Sequence, residues 1–370
     1  MLKHFTKCKF YILKKIFKIC SFTLSMQHNN NLVAILKNVA EVIFSETVSY
    51  VELQNTLIEW KESLELHHKL DMNSPEYNEN VYLEEGKAIA TRWAALCIED
   101  LIRTKRFVRA VRKAVDAVLH KQAGKPATIM YVGTGPFATL VLPLTHIFSP
   151  SELQLDLIEV NTESFKLLNN TIESYEIRDY IRNCYYADAT QFRVENKDVD
   201  ILLVECLQQA LAREPQVKIV ENLVPQFKDD LILIPEDITL SLALVNTRRQ
   251  QSFMHNLDSE KVIEFYEIID TVFSINKEVL QKNSIQYDEE THMFDDEQLR
   301  EYNRISIFTE MRLYEDEILT YNESGLTIPW DVNDYTSKAP VYGVTTNYVT
   351  GNDPKLDIKL IRTRETGPDR

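Results

Sequence analysis

The sequence predicts an α/β chain in which a mostly parallel, doubly wound sheet is preceded by amphipathic helices and followed by an antiparallel β-barrel or sandwich. Three observations predict it. Between 126 and 236, short apolar runs (TIMYVG, LDLIEV, YYAD, VDILLVE, DLILIP) alternate with helix-length segments, the signature of repeated βαβ units. Before 126 the apolar residues recur every three or four positions, and beyond 237 β-like runs are separated by turn residues.

The N-terminal 1–25 segment is basic and aromatic, with Lys14, Lys15 and Lys18 interrupting any apolar core of a secretion signal. Met26 precedes a polar run and offers an alternative start, which leaves 1–25 as an extension or a basic amphipathic arm. Over 26–125, Val33, Leu36, Val39 and Ile43, then Leu53, Leu57, Trp60 and Leu64, predict two amphipathic helices. DMNSPEYNEN breaks the pattern. Helical spacing resumes from about Glu84 to His120 and closes at AGKP. The parallel sheet follows over 126–236. The 237–370 region carries ITLSLALV, ISIFTEMRLY, EILTYN, LTIPW, PVYGVTTNYV and LDIKLI as strands, with an inserted helix expected from about Ser259 to Lys282.

Bulk numbers narrow the function. The 370 residues are 44% hydrophobic and 26% charged, as in globular proteins. Acids outnumber bases 56 to 41, and the net charge of −15 argues against a nucleic-acid binder, which needs a concentrated basic face, and suits a cationic partner better. Cys8, Cys20, Cys97, Cys184 and Cys206 are scattered, odd in number and without metal-ligand spacing, so they read as reduced thiols of a cytoplasmic protein with no metal. His67 and His68 are adjacent in a helix and point to different faces, which also speaks against a metal site. No stretch has the length and apolarity of a membrane helix, so no stable membrane insertion is expected.

The chemistry concentrates at strand ends. Tyr131 to Ala138 reads YVGTGPFA, with Gly133, Thr134 and Gly135 after a strand and a helix expected over TLVLPLTHIF. Glycines there let backbone N–H groups approach a ligand that a Cβ would exclude. Glu159 ends the next strand, where a carboxylate accepts both hydroxyls of an adenosine ribose. Asp188 follows the third strand, at the position where the carboxylate of a methyltransferase usually accepts the adenine amino group and where a dinucleotide enzyme has no standard need of one. The ordered series Gly133, Gly135, Glu159, Asp188 points to a cofactor with an adenosyl group, and to methyl transfer over a nicotinamide-linked reaction.

After the fourth strand, Glu205 and Glu214 stand nine residues apart. This pair resembles the double-glutamate loop of the protein arginine methyltransferases. Glu99-Asp100-Leu101-Ile102-Arg103-Thr104 is similar to that family's Asp-Glu-x-Arg-Thr helix, and ENLVPQFKDDLILIPEDITLSLALV resembles its passage from Rossmann-like sheet to β-barrel. The resemblance spans roughly 85–370. It implies a class I methyltransferase with S-adenosylmethionine as cofactor, bound through Arg103 (methionine carboxylate), Gly133, Thr134, Gly135, Glu159 and Asp188, and with Glu205 and Glu214 as the catalytic pair. Two carboxylates hold a planar guanidinium bidentately and leave one nitrogen facing the sulfonium methyl. The resemblance also implies a methyl acceptor that is a protein, peptide or small molecule, and a homodimer as one assembly. Phe137 stands at the family's third loop glycine, Cys206 to Arg213 lacks its Trp-Met-Gly, and Ile328-Pro329-Trp330 replaces its Thr-His-Trp. These departures suit an acceptor that is a different amine, amide or carboxylate. Two other readings stay open: aminobutyryl transfer from the same cofactor, since VGTGP is similar to the loop of nicotianamine synthase, and a non-catalytic methyltransferase-like scaffold.

Overall fold

The computed structural model describes residues 31–71, 73–122, 124–255, 264–332 and 339–363; the 1–25 segment lies outside them. Residues 31–44 form helix α1 and Tyr50–His68 form helix α2, as the spacing requires. Ser49 caps α2 by accepting from Glu52 N at 3.2 Å. Leu53, Leu57, Trp60 and Leu64 bury one face, and Trp60 Nε1 donates to the Tyr175 hydroxyl at 3.2 Å.

The continuous helix expected from Glu84 does not form. Val81–Leu83 (β1) and Gly86–Ala88 (β2) pair as an antiparallel hairpin, Thr91–Leu96 is a short helix α3, and the long helix α4 spans Leu101–Lys121. Two local choices defeat the periodicity. Gly86 takes φ 124°, which no helix contains, and the Asp100 side chain accepts from Arg103 N to start a new helix. Within α4 the expected stripe holds: Phe107, Val108, Val111, Ala114 and Val115 are fully buried.

The central sheet comprises Ala127–Val132 (β3), Leu153–Glu159 (β4), Ile181–Tyr186 (β5), Ile201–Val204 (β6) and Ile232–Ile234 (β7), parallel throughout and ordered β5-β4-β3-β6-β7. Helices Thr162–Ser174 (α5) and Gln216–Leu223 (α6) connect strands, and β3 and β6 are buried along their whole length, which is why they read as unbroken apolar runs. The doubly wound order reverses beside β3, so a crevice opens at the carboxyl ends of β3, β4 and β6. One connection departs from expectation. After the glycine turn, TLVLPLTHIF forms turns and a five-residue 3-10 helix, Leu142–His146, because Pro143 lies inside it and Ala138 sits at φ 46°.

The C-terminal part contains Asp237–Val245 (β8), Thr247–His255 (α7), Tyr266–Asn276 (β9), Lys277–Gln281 (α8), Glu290–Met293 (β10), Asp296–Glu301 (α9), Arg304–Tyr314 (β11), Glu317–Leu319 (β12), Trp330–Asp331 (β13), Gly343–Val349 (β14) and Lys355–Ile361 (β15). It is antiparallel, as expected. Two open sheets, β12-β11-β8-β9 with β13 on β11, and β10-β14-β15, make it up, and no closed barrel forms among the described residues. Phe273 on β9 stacks on Tyr348 of β14, ring centroids 4.3 Å apart, where the sheets face each other. The helix expected over 259–282 is corrected to a strand over 266–276, with helix only at Lys277–Gln281; residues 256–263 lie outside the described set. Ile268, Ile269, Val272 and Ile275 are β-branched, and pairing along β8 outweighs their helix-compatible spacing.

Candidate active site

The sheet register brings the strand ends together. Val132 pairs with Ile158 and with Val204, and Glu159 pairs with Tyr186, so Gly133, Glu159, Asp188 and Glu205 emerge side by side on one edge. With Arg103, Thr134, Gly135 and Glu214 they line a single cavity of about 790 Å³. All eight residues singled out in the sequence therefore share one space.

Gly133 is required by crowding as well as by conformation. Its φ is 78°, and a Cβ there would lie 2.7 Å from Glu205 O and against the Cys206 sulfur. Gly135, at φ 59°, donates its N–H to Glu159 Oε2 at 2.8 Å. Glu159 Oε1 accepts from Val160 N at 2.9 Å and Asn161 N at 2.8 Å. Burial holds this carboxyl above its ordinary value, and the three N–H groups offset that only in part. Behind the turn, His68 stacks on Phe137 with centroids 5.6 Å apart, and burial, aided by the neighbouring charge of His67, brings His68 down to about 4. This places His68 in packing contact with the turn. Asp188 Oδ1 accepts from Thr190 N at 2.9 Å and from Thr190 Oγ1 at 2.7 Å, which fixes its carboxylate at the cavity wall.

Arg103 enters from α4 and is almost entirely buried. Its Nε donates to Glu205 Oε1 at 2.9 Å, its Nη2 lies 2.5 Å from Glu205 Oε2, and its Nη1 donates to Cys97 O at 3.1 Å. A guanidinium has five N–H donors, so two are left over for an anionic group. Burial pushes the Glu205 carboxyl up and Arg103 opposes that. Glu214 has no such partner: among the described residues it forms no ion pair, although it is only 6% exposed. Burial first, and then the like charge of Glu205, push it up to about 8, against a hydrogen bond from Gln208.

The loop between the two glutamates is bent and tied down. Ala210 and Leu211 at φ 53° and Arg213 at φ 68° are left-handed non-glycine residues, a conformation costing about 1–3 kcal/mol each. Its surroundings hold it there. Ala210 N donates to Thr309 Oγ1 at 3.1 Å and the Tyr348 hydroxyl donates to Leu211 O at 2.8 Å. The Gln216 side chain bridges Cys206 N (2.9 Å) and Val204 O (3.1 Å).

Sequence reasoning missed several cavity residues. Trp93, Lys87 and Gln208 line it without motif signals; Gln208 is legible only once Glu214 is seen to need a donor. Trp330, which stands in for a Trp triplet, does reach the cavity wall. Burial holds the Cys206 thiol far above its ordinary value and pushes Cys97 up to about 12, so neither is a ready nucleophile. Among the described residues no cluster of three or more metal-ligating side chains occurs, and no helix is long and apolar enough to cross a membrane.

No protein-family model and no curated protein sequence matches the chain. Solved structures do. The crystal structure of PRMT6 with SAH aligns with a TM-score of 0.50 at 12% identity, over 72% of this chain and 98% of that one. The Trypanosoma brucei PRMT1 enzyme-prozyme heterotetrameric complex with AdoHcy aligns at 0.46 and 11% identity, over 74% and 94%. Protein arginine methyltransferase 10 of Arabidopsis thaliana aligns at 0.44 and 11% identity, over 71% and 95%. At such identities the likeness is one of architecture, and the chain is similar in fold to the PRMT6 structure along nearly all of that structure's length.

Proposed function

We propose that the chain is an S-adenosylmethionine-dependent methyltransferase acting on a cationic acceptor, and that cofactor and acceptor meet in the cavity at the sheet's carboxyl edge. One observation carries this: Glu214, a buried carboxylate without an ion-pair partner among the described residues, faces the same cavity as the glycine turn and Glu159. Glu214, whose carboxyl burial pushes up to about 8, would give up its proton on pairing with a cationic acceptor group.

The donor set fits the cofactor. Glu159 would accept the ribose hydroxyls and Asp188 the adenine amino group, the Gly133–Gly135 turn would allow close backbone approach, and the two N–H groups of Arg103 not used by Glu205 and Cys97 would take the methionine carboxylate. When bound, the cofactor supplies an activated methyl on a sulfonium, so the protein's contribution is alignment and exclusion of water. Arg103 holds Glu205 in one geometry; Glu214 would pair with the acceptor's nitrogen group and take the proton that this nitrogen gives up as the methyl is transferred. The acidic cavity and the chain's net charge of −15 favour such an acceptor, whether in a protein, a peptide or a small molecule.

The test is transfer of labelled methyl from the cofactor to a lysate fraction. Label in an acceptor with release of S-adenosylhomocysteine, lost in Glu214→Gln, supports the reading. Release of methylthioadenosine would assign aminobutyryl transfer, and transfer undiminished in Glu214→Gln would remove Glu214 from the site.

A further inference from the structure

We propose that the β1–β2 hairpin is a positioning element for the acceptor side of the cavity, with Gly86 and the Lys87 backbone setting the direction in which Glu214 projects. The inference rests on the reading of Glu214 as the acceptor's carboxylate. Segments remote in sequence meet at Arg213, immediately before it. Lys87 N donates to Arg213 O at 2.9 Å, and Arg213 N donates to Pro354 O at 2.6 Å. The peptide groups on both sides of the Arg213 α-carbon are therefore held, one by the N-terminal hairpin and one by the turn between β14 and β15. With both fixed, the left-handed φ of 68° is maintained and the next residue's side chain has little angular freedom.

Gly86 permits this approach. A Cβ on it would lie 2.9 Å from Arg213 O, 3.2 Å from Pro215 N and 3.2 Å from Pro354 Cγ, and its φ of 124° is open to glycine and few other residues. A second tie joins the same partners, since Glu85 Oε2 accepts from Gly351 N at 3.1 Å. On the far side, Glu214 N donates to Ala212 O at 2.8 Å. The charged and polar groups that act on Glu214 are Glu205, Gln208, Lys87 and Arg103. The three atoms nearest a Gly86 Cβ all belong to the Arg213–Pro215 segment and Pro354, next to Glu214, so the proposal assigns the hairpin to the acceptor half of the cavity.

The experiment uses full-length Gly86→Ala and Gly86→Val, with Glu214→Gln to assign the Glu214 carboxyl signal in infrared difference spectra across pH. S-adenosylhomocysteine affinity is measured in parallel by calorimetry. The expected result is an affinity within about twofold of the parent, with the Glu214 titration midpoint moved by at least about half a pH unit, more for valine than for alanine. A folded Gly86→Val in which Glu214 titrates as in the parent overturns the proposal. So does a shift accompanied by an equal loss of S-adenosylhomocysteine binding, since that marks general loosening. Should the valine variant fail to fold, the alanine variant decides by the same two readouts. If the parent itself binds no S-adenosylhomocysteine, the methyltransferase reading fails, while the Glu214 titration still decides whether the hairpin positions that side chain.

Discussion

Asp100 and Ser324, 224 positions apart in the chain, are joined by a hydrogen bond: the Ser324 hydroxyl donates to Asp100 Oδ2 at 2.8 Å. The same oxygen accepts from Gly325 N at 2.7 Å, and Oδ1 accepts from Arg103 N at 3.3 Å. One carboxylate thus caps the helix that carries Arg103 and anchors to it the Gly325–Thr327 turn, next to the Trp330 wall.

Replacing Asp100 by alanine removes a helix cap and leaves the Ser324 and Gly325 donors without their acceptor. The expected loss is about 2 kcal/mol or more, read from urea unfolding, with Asp100→Asn falling between. Unfolding curves that superimpose on the parent's would show that the tie contributes nothing.

Arg103→Met strands Glu205 as an unpaired buried carboxylate, at a cost of about 3–5 kcal/mol. Removing the charge as well, in Arg103→Met with Glu205→Gln, returns part of that stability. Thermal unfolding of the two single variants and the double variant checks it: strictly additive losses would mean that the pair is not coupled.

Stability itself should depend on pH through Glu214. Its folded value of about 8 lies above the ordinary 4.5, so the folded chain holds a proton that the unfolded chain releases. The contribution is fully present below 4.5 and is lost as pH rises toward 8, at about 1.4 kcal/mol per pH unit within that window. Glu159 and Glu205, both raised by burial, tilt the curve the same way. Glu214→Gln should flatten it; an equally steep decline in that variant would assign the dependence to other groups.

Gly133→Ala places a methyl group against Glu205 O and the Cys206 sulfur at a φ of 78°. A stability loss of about 1–3 kcal/mol is expected, together with weaker S-adenosylhomocysteine binding. Differential scanning calorimetry with and without that ligand separates the two effects.

The nucleotide half of the candidate site was legible because its residues follow strands, and parallel strands deliver their carboxyl ends to one edge whatever the loops between them do; Arg103, on a helix, and Glu214, in a loop, were legible only through the resemblance. Gly133, Glu159, Asp188 and Glu205 could be placed from the spacing of apolar runs alone. What the sequence concealed depends on long-range contact. The 266–276 strand carries apolar residues at spacings that also suit a helix, and only its pairing with β8 decides the matter. The 81–88 hairpin is set by Gly86 fitting against Arg213 and Pro354, partners more than 120 positions away. The pairing of Arg103 with Glu205, across 102 positions, was likewise beyond local pattern, although each residue had been singled out separately.

The central claim, that a glycine turn and the acids beside it enclose one adenosyl cofactor, is tested most directly by calorimetric titration of S-adenosylhomocysteine into the purified chain and into Glu159→Ala. The account predicts saturable binding to the parent, weakened by about tenfold or more in the variant as the ribose loses its charged acceptor. Absence of binding to the folded parent, or equal affinity in both proteins, would contradict it.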